Sequence, residues 1–483
     1  MNTTEKIKDI FKDSIIFKDP RRNKDIASQG IPSFLRDWLI KKFSDTEGIV
    51  NWEGLQNFIR KHLPTKNAWE SLKQAMAQEH KRVKILAKIR VELDIPTGEM
   101  LFSLPDFGFP ARKYEAIVDP FLAREKRGQL LENPEVWGVI ELEWRLYAPH
   151  GKKEQGTIFM IDFKPFRPYR VDLKFFQEAS AQFSFEEWVN IIIGAVDYNP
   201  EGFLNLSQKL CFLARLIPFV EKRTNIIELA PKGTGKSYIF SQLSKYGWLI
   251  SGGSITRARL FYDIQKKQPG LITRYDYIAL DEIQSISFPD EEEIRGALKG
   301  YLESGEFRVG TYYGSAQAGF ILLGNIRHDL MDIYQNMFQE LPSIFHESAL
   351  IDRFHGFIKG WELPRMKENL KAKSWALNTE YFSEIMHFLR DDVRYQTLVD
   401  DLLVYPSSAD TRDITAIKKL VTGFMKILLP YVALSPEKLS LETFHKYCLQ
   451  PALEMRGIIR RQLNILDREY SPSLPEISTR PNS

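Results

Sequence analysis

A glycine-containing loop at 231–237, PKGTGKS, carries the residue types that bind the phosphates of a nucleotide. It follows an apolar run of strand type at 225–230 and precedes a helical pattern that begins SYIFSQLSKYG. In this context loop amides and the helix N-terminus bind anionic oxygens, and glycines let the backbone approach them. We therefore predict a site for ATP and Mg²⁺, with Lys236 on the β- and γ-phosphates and the Ser237 hydroxyl on Mg²⁺. The predicted cofactor-binding residues are Lys232, Gly233, Thr234, Gly235, Lys236, Ser237 and Tyr238.

The loop departs from the usual phosphate-loop pattern at its first glycine, because Ala230 occupies that position. The GKS end, which carries the chemistry, is intact. A glycine-rich surface turn is the alternative interpretation of the loop taken alone.

Two polar strand ends further along the chain favour the nucleotide site. The apolar run at 277–280 ends in Asp281-Glu282, where Asp281 would hold Mg²⁺ through water and Glu282 would polarise the attacking water. The run at 319–324 ends at Asn325, whose amide would orient that water. Taken singly, each is equally a solvated strand end or a turn residue. Together with the loop they predict an ATPase.

These residues need a scaffold, and the chain predicts one. Apolar strands alternate with helices from about 225 to 361, which is typical of a parallel α/β sheet. Ser184 and Glu187 form a capping box that predicts a helix start, and the pattern from about 374 is helical only. The predicted domains are an N-terminal helical domain (1–80), a β-rich domain (81–180), the α/β nucleotide-binding core (181–365), an α-helical lid (366–470) and a flexible tail (471–483).

The β-rich domain shows strict alternation over 83–93, with apolar odd positions and mostly charged even positions. Another strand is predicted at 136–147, and the turn-like HGKKEQG joins it to a strand at 157–163 as a hairpin. These features predict a small barrel of the oligonucleotide-binding (OB) type. The alternation places four basic side chains on its outer face: Arg82, Lys84, Lys88 and Arg90.

A second basic stretch, FKPFRPYR at 163–170, interleaves cations with aromatic rings. Cations bind backbone phosphates and rings stack on bases, so both stretches are candidate DNA-binding surfaces. The alternatives are a solvated strand face and a proline-rich linker. The stretch contributes the cations Lys164, Arg167 and Arg170 and the rings Phe163, Phe166 and Tyr169.

Composition limits the remaining possibilities. The net charge of +3 over 483 residues excludes a polyelectrolyte, so a nucleic-acid surface must be local. Cys211 and Cys448 lack partners at metal-ligand or disulfide-framework spacing, which fits a reducing compartment. No apolar stretch approaches the roughly 20 residues that span a bilayer, and we expect a soluble, cytoplasmic chain with no membrane partner. We interpret His328, His346 and His355 as structural or surface residues, since their spacing suits no metal.

The order of these motifs resembles that of AAA+ ATPases. The sequence of the motifs themselves resembles the BrxL family of Lon-like AAA+ proteins from bacteriophage-exclusion (BREX) systems. The resemblance is strongest over 184–361, in EKRTNIIELAPKGTGKSYIFSQLSKYGWLISGG, YIALDEIQSISF, EIRGALKGYLESGEFRVG and ALIDRFHGFIKGW. It implies an arginine finger at Arg353, reaching a neighbouring subunit's γ-phosphate, with Arg327 as the fallback. It also implies a sensor-2 arginine at Arg412, contacting phosphate in cis.

The resemblance implies a hexameric or stacked ring that binds double-stranded DNA and translocates on it or remodels it, with other BREX proteins as further partners. In such a ring the hairpin expected at 304–314 would face the pore and make Arg308 and Lys299 channel residues; an ordinary exposed hairpin is the alternative. Two other functions stay open. One is a Lon-like unfoldase that remodels partner proteins, and the other is an ATP-gated scaffold that turns over little.

The chain departs from the family in one respect. BrxL-like proteins carry a Lon-protease-like domain after the lid, and after the helical stretch 441–470 we find no room for one. GSAQAG at 314–319 is only faintly similar to a protease serine motif and lies within the ATPase core, so we interpret Ser315 as a loop residue. We expect no peptidase activity.

Overall fold

The computed structural model describes residues 3–20, 26, 31–45, 48–112, 115–131, 135–148, 153–265 and 267–480. The chain forms two compact units, Met1–Trp38 with Val171–Ser483 and the inserted Leu39–Arg170. The helical domain expected over 1–80 is therefore divided between the units. The division arises because the strand Ile15–Phe17 pairs antiparallel with Trp375–Leu377, far along the chain. This pairing makes the N-terminal segment part of the larger unit.

The smaller unit contains a closed five-stranded barrel. Its strands are β1 (Val83–Asp94), β2 (Glu99–Ser103), β3 (Ala116–Val118), β4 (Val136–Tyr147) and β5 (Gln155–Pro165). They follow the order β1-β2-β3-β5-β4, and all neighbours are antiparallel except β3 and β5. The unit's helices are Trp52–His62, Trp69–Ala77, Pro120–Glu125 and Arg127–Leu131.

The alternation read from the sequence forms the barrel core as predicted. Ile85, Ile89, Ile140 and Phe163 are fully buried inside the barrel, because successive side chains of a strand point to opposite faces. Leu86, on the opposite face of β1, is also buried. The β4–β5 hairpin is confirmed, although part of its predicted turn lies outside the described residues.

The larger unit is built on a parallel five-stranded sheet. Its strands are β6 (Ile226–Ala230), β7 (Gly247–Ser254), β8 (Tyr277–Ser287), β9 (Gly319–Asn325) and β10 (Gly356–Lys359). They follow the order β10-β6-β9-β8-β7, and every neighbouring pair is parallel. The predicted α/β sheet is thus confirmed, and the carboxyl ends of β6, β8 and β9 lie at one edge, where ligands bind in open α/β sheets.

Helices cover the sheet and extend beyond it. The capping box at Ser184 and Glu187 is present and starts the helix Phe185–Ala195, as predicted. The helix Ser33–Lys42 contains the division at Trp38. The other helices of the larger unit are Thr3–Phe11, Leu173–Ser180, Leu206–Leu213, Ile217–Val220, Lys236–Gln242, Arg257–Leu260, Glu291–Ser304, Ser348–Ile351, Thr379–Leu389, Arg394–Leu402, Thr411–Leu428, Leu441–Phe444 and Gln450–Leu466.

The C-terminal segment is more ordered than expected. Ser478–Thr479 pairs antiparallel with Leu403–Val404, and Ile477 is buried. Pairing of the backbone holds this stretch despite its proline- and serine-rich composition. Two short antiparallel pairs complete the sheet structure: Tyr262–Asp263 with Gln268–Pro269, and Glu306–Val309 with Tyr312–Ser315, the hairpin expected at 304–314. Among the described residues, no helix has the length and apolar character to cross a membrane.

Candidate nucleotide-binding site

The loop after β6 has the backbone of a phosphate-binding loop. Gly233 and Gly235 have φ angles of +83° and +78°, a left-handed region that favours glycine. Lys236 starts the following helix, Lys236–Gln242. The loop is held from outside by the Met366 amide, which donates to the Gly233 carbonyl at 2.7 Å. Strand, loop and helix therefore follow one another as the sequence predicts.

The alanine in place of the first loop glycine is accommodated by another glycine. Ala230 is fully buried at the end of β6, and Gly360 lies beside it. A Cβ added to Gly360 would lie only 2.2 Å from the Ala230 Cβ. Because Gly360 has no side chain, the Ala230 methyl group fits beside it. The alanine therefore does not displace the backbone of the loop.

The Lys236 ammonium group is held at the base of the loop. Its Nζ donates to the Ala230 carbonyl at 3.2 Å and to the Pro231 carbonyl at 3.3 Å, and it lies 3.4 Å from Asn325 Oδ1. Burial, reinforced by the charge of Arg215, lowers the pKa of Lys236. This buried cation is directed at the strand edge where phosphate would bind.

The acidic pair lies on a distorted part of β8. Glu282 has a φ of +49°, uncommon for a residue with a side chain, and the pairing of β8 with β7 shifts register between Asp281 and Ile286. Strain of this kind concentrates at functional sites. The Glu282 amide donates to the Asp281 carboxylate at 3.0 Å; Asp281 is buried and Glu282 is exposed.

Gln284 joins the acidic pair to Asn325. Its Nε2 donates to the Asn325 carbonyl at 2.6 Å, and its Oε1 accepts from the Asn325 amide at 3.3 Å. The sequence analysis missed Gln284, although the sequence DEIQ places it two positions after the acidic pair. The two bonds fix the end of β9 relative to the bulge of β8.

One cavity of about 870 Å³ brings these residues together. The loop residues 232–238, the acidic pair Asp281 and Glu282, and Asn325 all line it. The volume suits a nucleotide-sized ligand. The donor set also fits Mg²⁺, an oxygen-binding cation that takes one or two protein ligands and completes its shell with water and phosphate oxygens. The Ser237 hydroxyl would be a direct ligand of the ion, and the Asp281 carboxylate would hold it through water.

A fully buried ion pair lies under the loop. Arg215 Nε and Nη2 donate to the Glu228 carboxylate at 2.9 and 2.5 Å, and Arg215 Nη1 donates to the Thr234 carbonyl of the loop at 3.0 Å. Burial would lower the pKa of Arg215, but the charge of Glu228 raises it, so the guanidinium stays charged. The sequence analysis missed this pair, although the glutamate within the apolar run at 225–230 was a signal that could have found it.

Arg353 and Arg412 lie together, away from the loop. Arg353 Nε is 2.9 Å and Arg412 Nη2 is 3.2 Å from the same Glu303 carboxylate oxygen, and Arg412 Nη1 is 3.1 Å from Asp352. They line a separate, smaller cavity. Arg412, expected to contact phosphate in cis, is thus held by Glu303 and Asp352 and does not line the loop cavity.

Three of the four basic residues expected on the outer face of β1 are paired with carboxylates. Arg82 is 3.4 Å from Glu143, Lys88 is 3.5 Å from Asp106, and Arg90 is 3.4 Å from Glu92. Lys84 is exposed and forms no ion pair within the described part of the barrel unit. Strand alternation predicted the face, but could not show that Glu143 and Asp106, which other elements bring to it, would pair with Arg82 and Lys88.

In the basic stretch at 163–170, two of the aromatic rings expected to stack on bases are buried. Phe163 is fully buried in the barrel core and Phe166 is 6% exposed, so neither ring is free to stack on bases. The cations Lys164, Arg167 and Arg170 are exposed. The strand β5 runs to Pro165, and alternation along it turns the Phe163 ring inward.

The remaining candidates are dispersed. Arg308 is exposed on the hairpin and Lys299 pairs with Glu347, while Arg327 is exposed and pairs with Asp329 and Glu340. Ser315, expected in a loop, is the last residue of the hairpin strand Tyr312–Ser315. Of the histidines, His355 is buried and its Nδ1 accepts from the Asn225 amide, and His346 bonds the Leu341 carbonyl. The remaining one, His328, is exposed.

A parallel sheet with a phosphate-type loop, an acidic pair and an amide at one edge defines a protein of the P-loop ATPase class. Two family models match the chain: "Lon-like protease BrxL-like, ATPase domain" over residues 158–476, and "BREX system Lon protease-like protein BrxL N-terminal" over residues 9–144. The chain belongs to the BrxL family.

Two curated relatives are similar over much of the chain. The Lon-like protease BrxL of Escherichia coli O9:H4 (strain HS) is 27% identical over 455 residues, which cover 92% of this chain and 63% of that protein. The Lon-like protease BrxL of Bacillus cereus (strain H3081.97) is 30% identical over 298 residues, covering 61% of this chain and 43% of that protein. The matches thus span less than two thirds of either relative's length.

Proposed function

We propose that this chain is a ring-forming AAA+ ATPase of BREX-type anti-phage defence that acts on double-stranded DNA. The observation that carries the proposal is the single cavity lined by Lys236, Ser237, Asp281, Glu282 and Asn325. The match to the BrxL ATPase domain supports ATP as the ligand. Lys236 binds the phosphates, Ser237 and Asp281 hold Mg²⁺, and Glu282 polarises water with Asn325 orienting it.

The architecture supports the AAA+ assignment. The sheet is compatible with an AAA+ core, and the helices from Thr379 to Leu466 serve as the lid. The closed barrel of five strands, with the third and fifth strands parallel, supports an OB-type domain, a fold whose sheet face binds oligonucleotides. Translocation on DNA, or its remodelling, follows from placing such a domain on an ATP-driven ring, and other BREX proteins are the expected partners.

The arginine pair supports a ring. Arg353 and Arg412 share Glu303 and lie outside their own chain's loop cavity, so we assign both to a neighbouring subunit's phosphates. The segment that carries Arg353 is fixed by the buried Arg456, which donates to the Asp352 and Phe354 carbonyls. Arg353 and Arg412 would become available to phosphate once both leave Glu303 and Arg412 also leaves Asp352.

A mixing experiment tests the shared site. Lys236→Ala and Arg353→Ala should each lose ATP turnover, whereas their mixture should regain part of it. In a mixed ring some interfaces combine an intact Lys236 with an intact Arg353. Arg468→Ala is the matched control, an exposed arginine outside the predicted site whose loss should leave turnover near wild type. A mixture no more active than its parts would contradict the shared site.

Supporting observations for DNA are the exposed cations of the barrel unit. Lys84, Lys164 and Arg170 form no ion pairs among the described residues, and Lys164 lies near enough to Lys42 to contribute, after burial, to a lowered Lys42 pKa. Lysines that lie near one another attract phosphate and bind it with release of counterions.

ATP turnover measured with double-stranded DNA at low and high salt tests the substrate. Stimulation that fades with salt supports DNA. Both relatives are named Lon-like proteases, which favours an alternative function for this chain, a protein-remodelling unfoldase. Stimulation by an unfolded polypeptide, with none by DNA, would establish that alternative.

A further inference from the structure

The N-terminal segment of the chain reaches the helix that follows the phosphate-binding loop. Tyr238, the residue after Ser237, donates its hydroxyl proton to Asp197 at 2.6 Å. Ser33 of the N-terminal segment lies 2.6 Å from the same hydroxyl. The start of the phosphate-binding helix is thereby bonded to a segment about 200 positions earlier in the chain.

Asp197 is the centre of this contact. Its carboxylate is 2.7 Å from Lys18 Nζ and 2.9 Å from Arg36 Nη2, both from the N-terminal segment. Asp37 balances the second positive charge, at 3.4 Å from Lys18 and 2.9 Å from Arg36. Burial would raise the pKa of Asp197, but the charges of Arg36 and Lys18 lower it, so the carboxylate is ionised. A buried group of this kind is specific in geometry and costly to break.

The backbone at this point is strained and tightly packed against the loop. Asp197 has a φ of +71°, and its neighbour Tyr198 is buried beside Gly235. A Cβ added to Gly235 would lie 2.0 Å from the Tyr198 hydroxyl, which has no hydrogen-bond partner among the described residues. Strained backbone persists only where surrounding contacts impose it, and here those contacts are the two cations and Tyr238.

The same segment forms part of the cavity wall. Pro20 and Arg36 line the nucleotide cavity, as do Tyr198 and Met366. Yet residues 1–38 lie outside the region that the ATPase family model matches, and the whole barrel unit separates them from it in sequence.

We propose that the N-terminal segment completes the nucleotide site: Arg36 and Lys18 hold Asp197, and Asp197 holds Tyr238 so that the phosphate-binding helix starts in the position that nucleotide requires. Arg36, Asp197 and Tyr238 are positioning residues. The inference rests on the proposed ATPase function and extends it to Lys18 and Arg36, which neither the loop motif nor the matched ATPase domain contains.

The test compares Tyr238→Phe with wild type in the full chain. The change removes only a hydroxyl, and we expect the KM for ATP to rise about five- to tenfold, as the loss of one or two hydrogen bonds implies, with kcat reduced less than twofold. Tyr301→Phe is the matched control. Tyr301 is buried, its hydroxyl donates to the Ala318 carbonyl at 2.6 Å, and it does not line the loop cavity. It should lower thermal stability similarly and leave the KM unchanged.

Arg36 supplies a second arm. Arg36→Gln should raise the KM more than Arg36→Lys, because lysine keeps the positive charge beside Asp197. Lys236→Ala, measured in the same assay, distinguishes failure of the proposed ATPase function from failure of the role given to the N-terminal segment. If Lys236→Ala keeps full turnover, the proposed function is wrong. If it abolishes turnover while Tyr238→Phe and Arg36→Gln keep the wild-type KM, only the role of the N-terminal segment is overturned.

Discussion

The lysine of the phosphate loop and the lysines of the barrel face are both sequence-predicted phosphate contacts, but their surroundings differ. Lys236 is buried, bonded to loop carbonyls and an amide oxygen, and directed into a cavity with two carboxylates on its wall. Lys88 on β1 is neutralised by Asp106 and Glu135 at 3.5 and 3.7 Å. One cation is positioned for a ligand, and the other is engaged within the protein.

The difference shows what each kind of pattern determines. A loop between a strand and a helix fixes where its backbone amides and lysine point, because the sheet edge positions them. Alternating charge fixes only the face of a strand. Which charges remain available depends on residues such as Glu143 and Asp106, which other elements contribute.

The largest expected effect concerns Glu282. Glu282→Gln should lower ATP turnover at least about 100-fold, since a general base contributes about that much, while leaving ATP binding intact. Turnover and equilibrium binding of a fluorescent ATP analogue would be measured together. Glu292→Gln, an exposed carboxylate of the helix Glu291–Ser304, is the control. Turnover within twofold of wild type would remove Glu282 from the site.

A buried carboxylate pair in the larger unit, Glu380 and Glu384, tests how burial changes protonation at a place where no ligand is expected. Glu380 is fully buried beside Lys245 and Glu384, and burial, with the Glu384 charge, raises the pKa of Glu380 to about 7. An unfolded glutamate has a pKa of about 4.3, so between these values the folded chain keeps a proton that the unfolded chain releases. The free energy of unfolding should therefore fall as the pH rises through this range.

Glu380→Gln should remove that pH dependence. At pH 8 we expect the variant to gain on the order of 2–3 kcal/mol over wild type, with little change at pH 5. Thermal unfolding at the two pH values measures this, with the exposed Glu201→Gln as control. An unchanged pH profile would contradict a neutral Glu380.

Charge reversal on the barrel tests whether unpaired cations bind DNA more strongly than cations paired with carboxylates. Lys84→Glu with Lys164→Glu should weaken binding of double-stranded DNA at low salt about tenfold, because unpaired cations contact phosphate. The matched pair Arg82→Glu with Arg90→Glu changes the net charge equally but removes cations already paired with carboxylates. Equal losses in a binding titration would show that long-range charge, and not this surface, attracts the DNA.

The smallest effect is expected at Gln284. Gln284→Ala removes both bonds to the Asn325 backbone and should lower kcat about three- to fivefold, as a loosened positioning contact would. Steady-state kinetics measure it, with the exposed Gln450→Ala as control. A kcat equal to that of wild type would show that the bulge holds Asn325 without Gln284.

The sequence predicted the parallel sheet, the loop and its acidic partners, because period, strand length and turn residues are local properties. It could not predict that Gly360 compensates for Ala230, or that Lys18 and Arg36 reach Asp197, because those contacts join distant positions. The expected stacking role of Phe163 failed for a related reason, since only the barrel's closure shows which face is core.

The central claim, that the loop cavity binds and hydrolyses ATP, is tested most directly by Lys236→Ala beside Lys232→Ala. Both lysines belong to the same loop, but Lys236 is buried at its base and Lys232 is exposed. ATP binding and turnover of the full chain should be lost with Lys236→Ala and fall only a few-fold with Lys232→Ala. Equal activity of both variants and wild type would contradict the site.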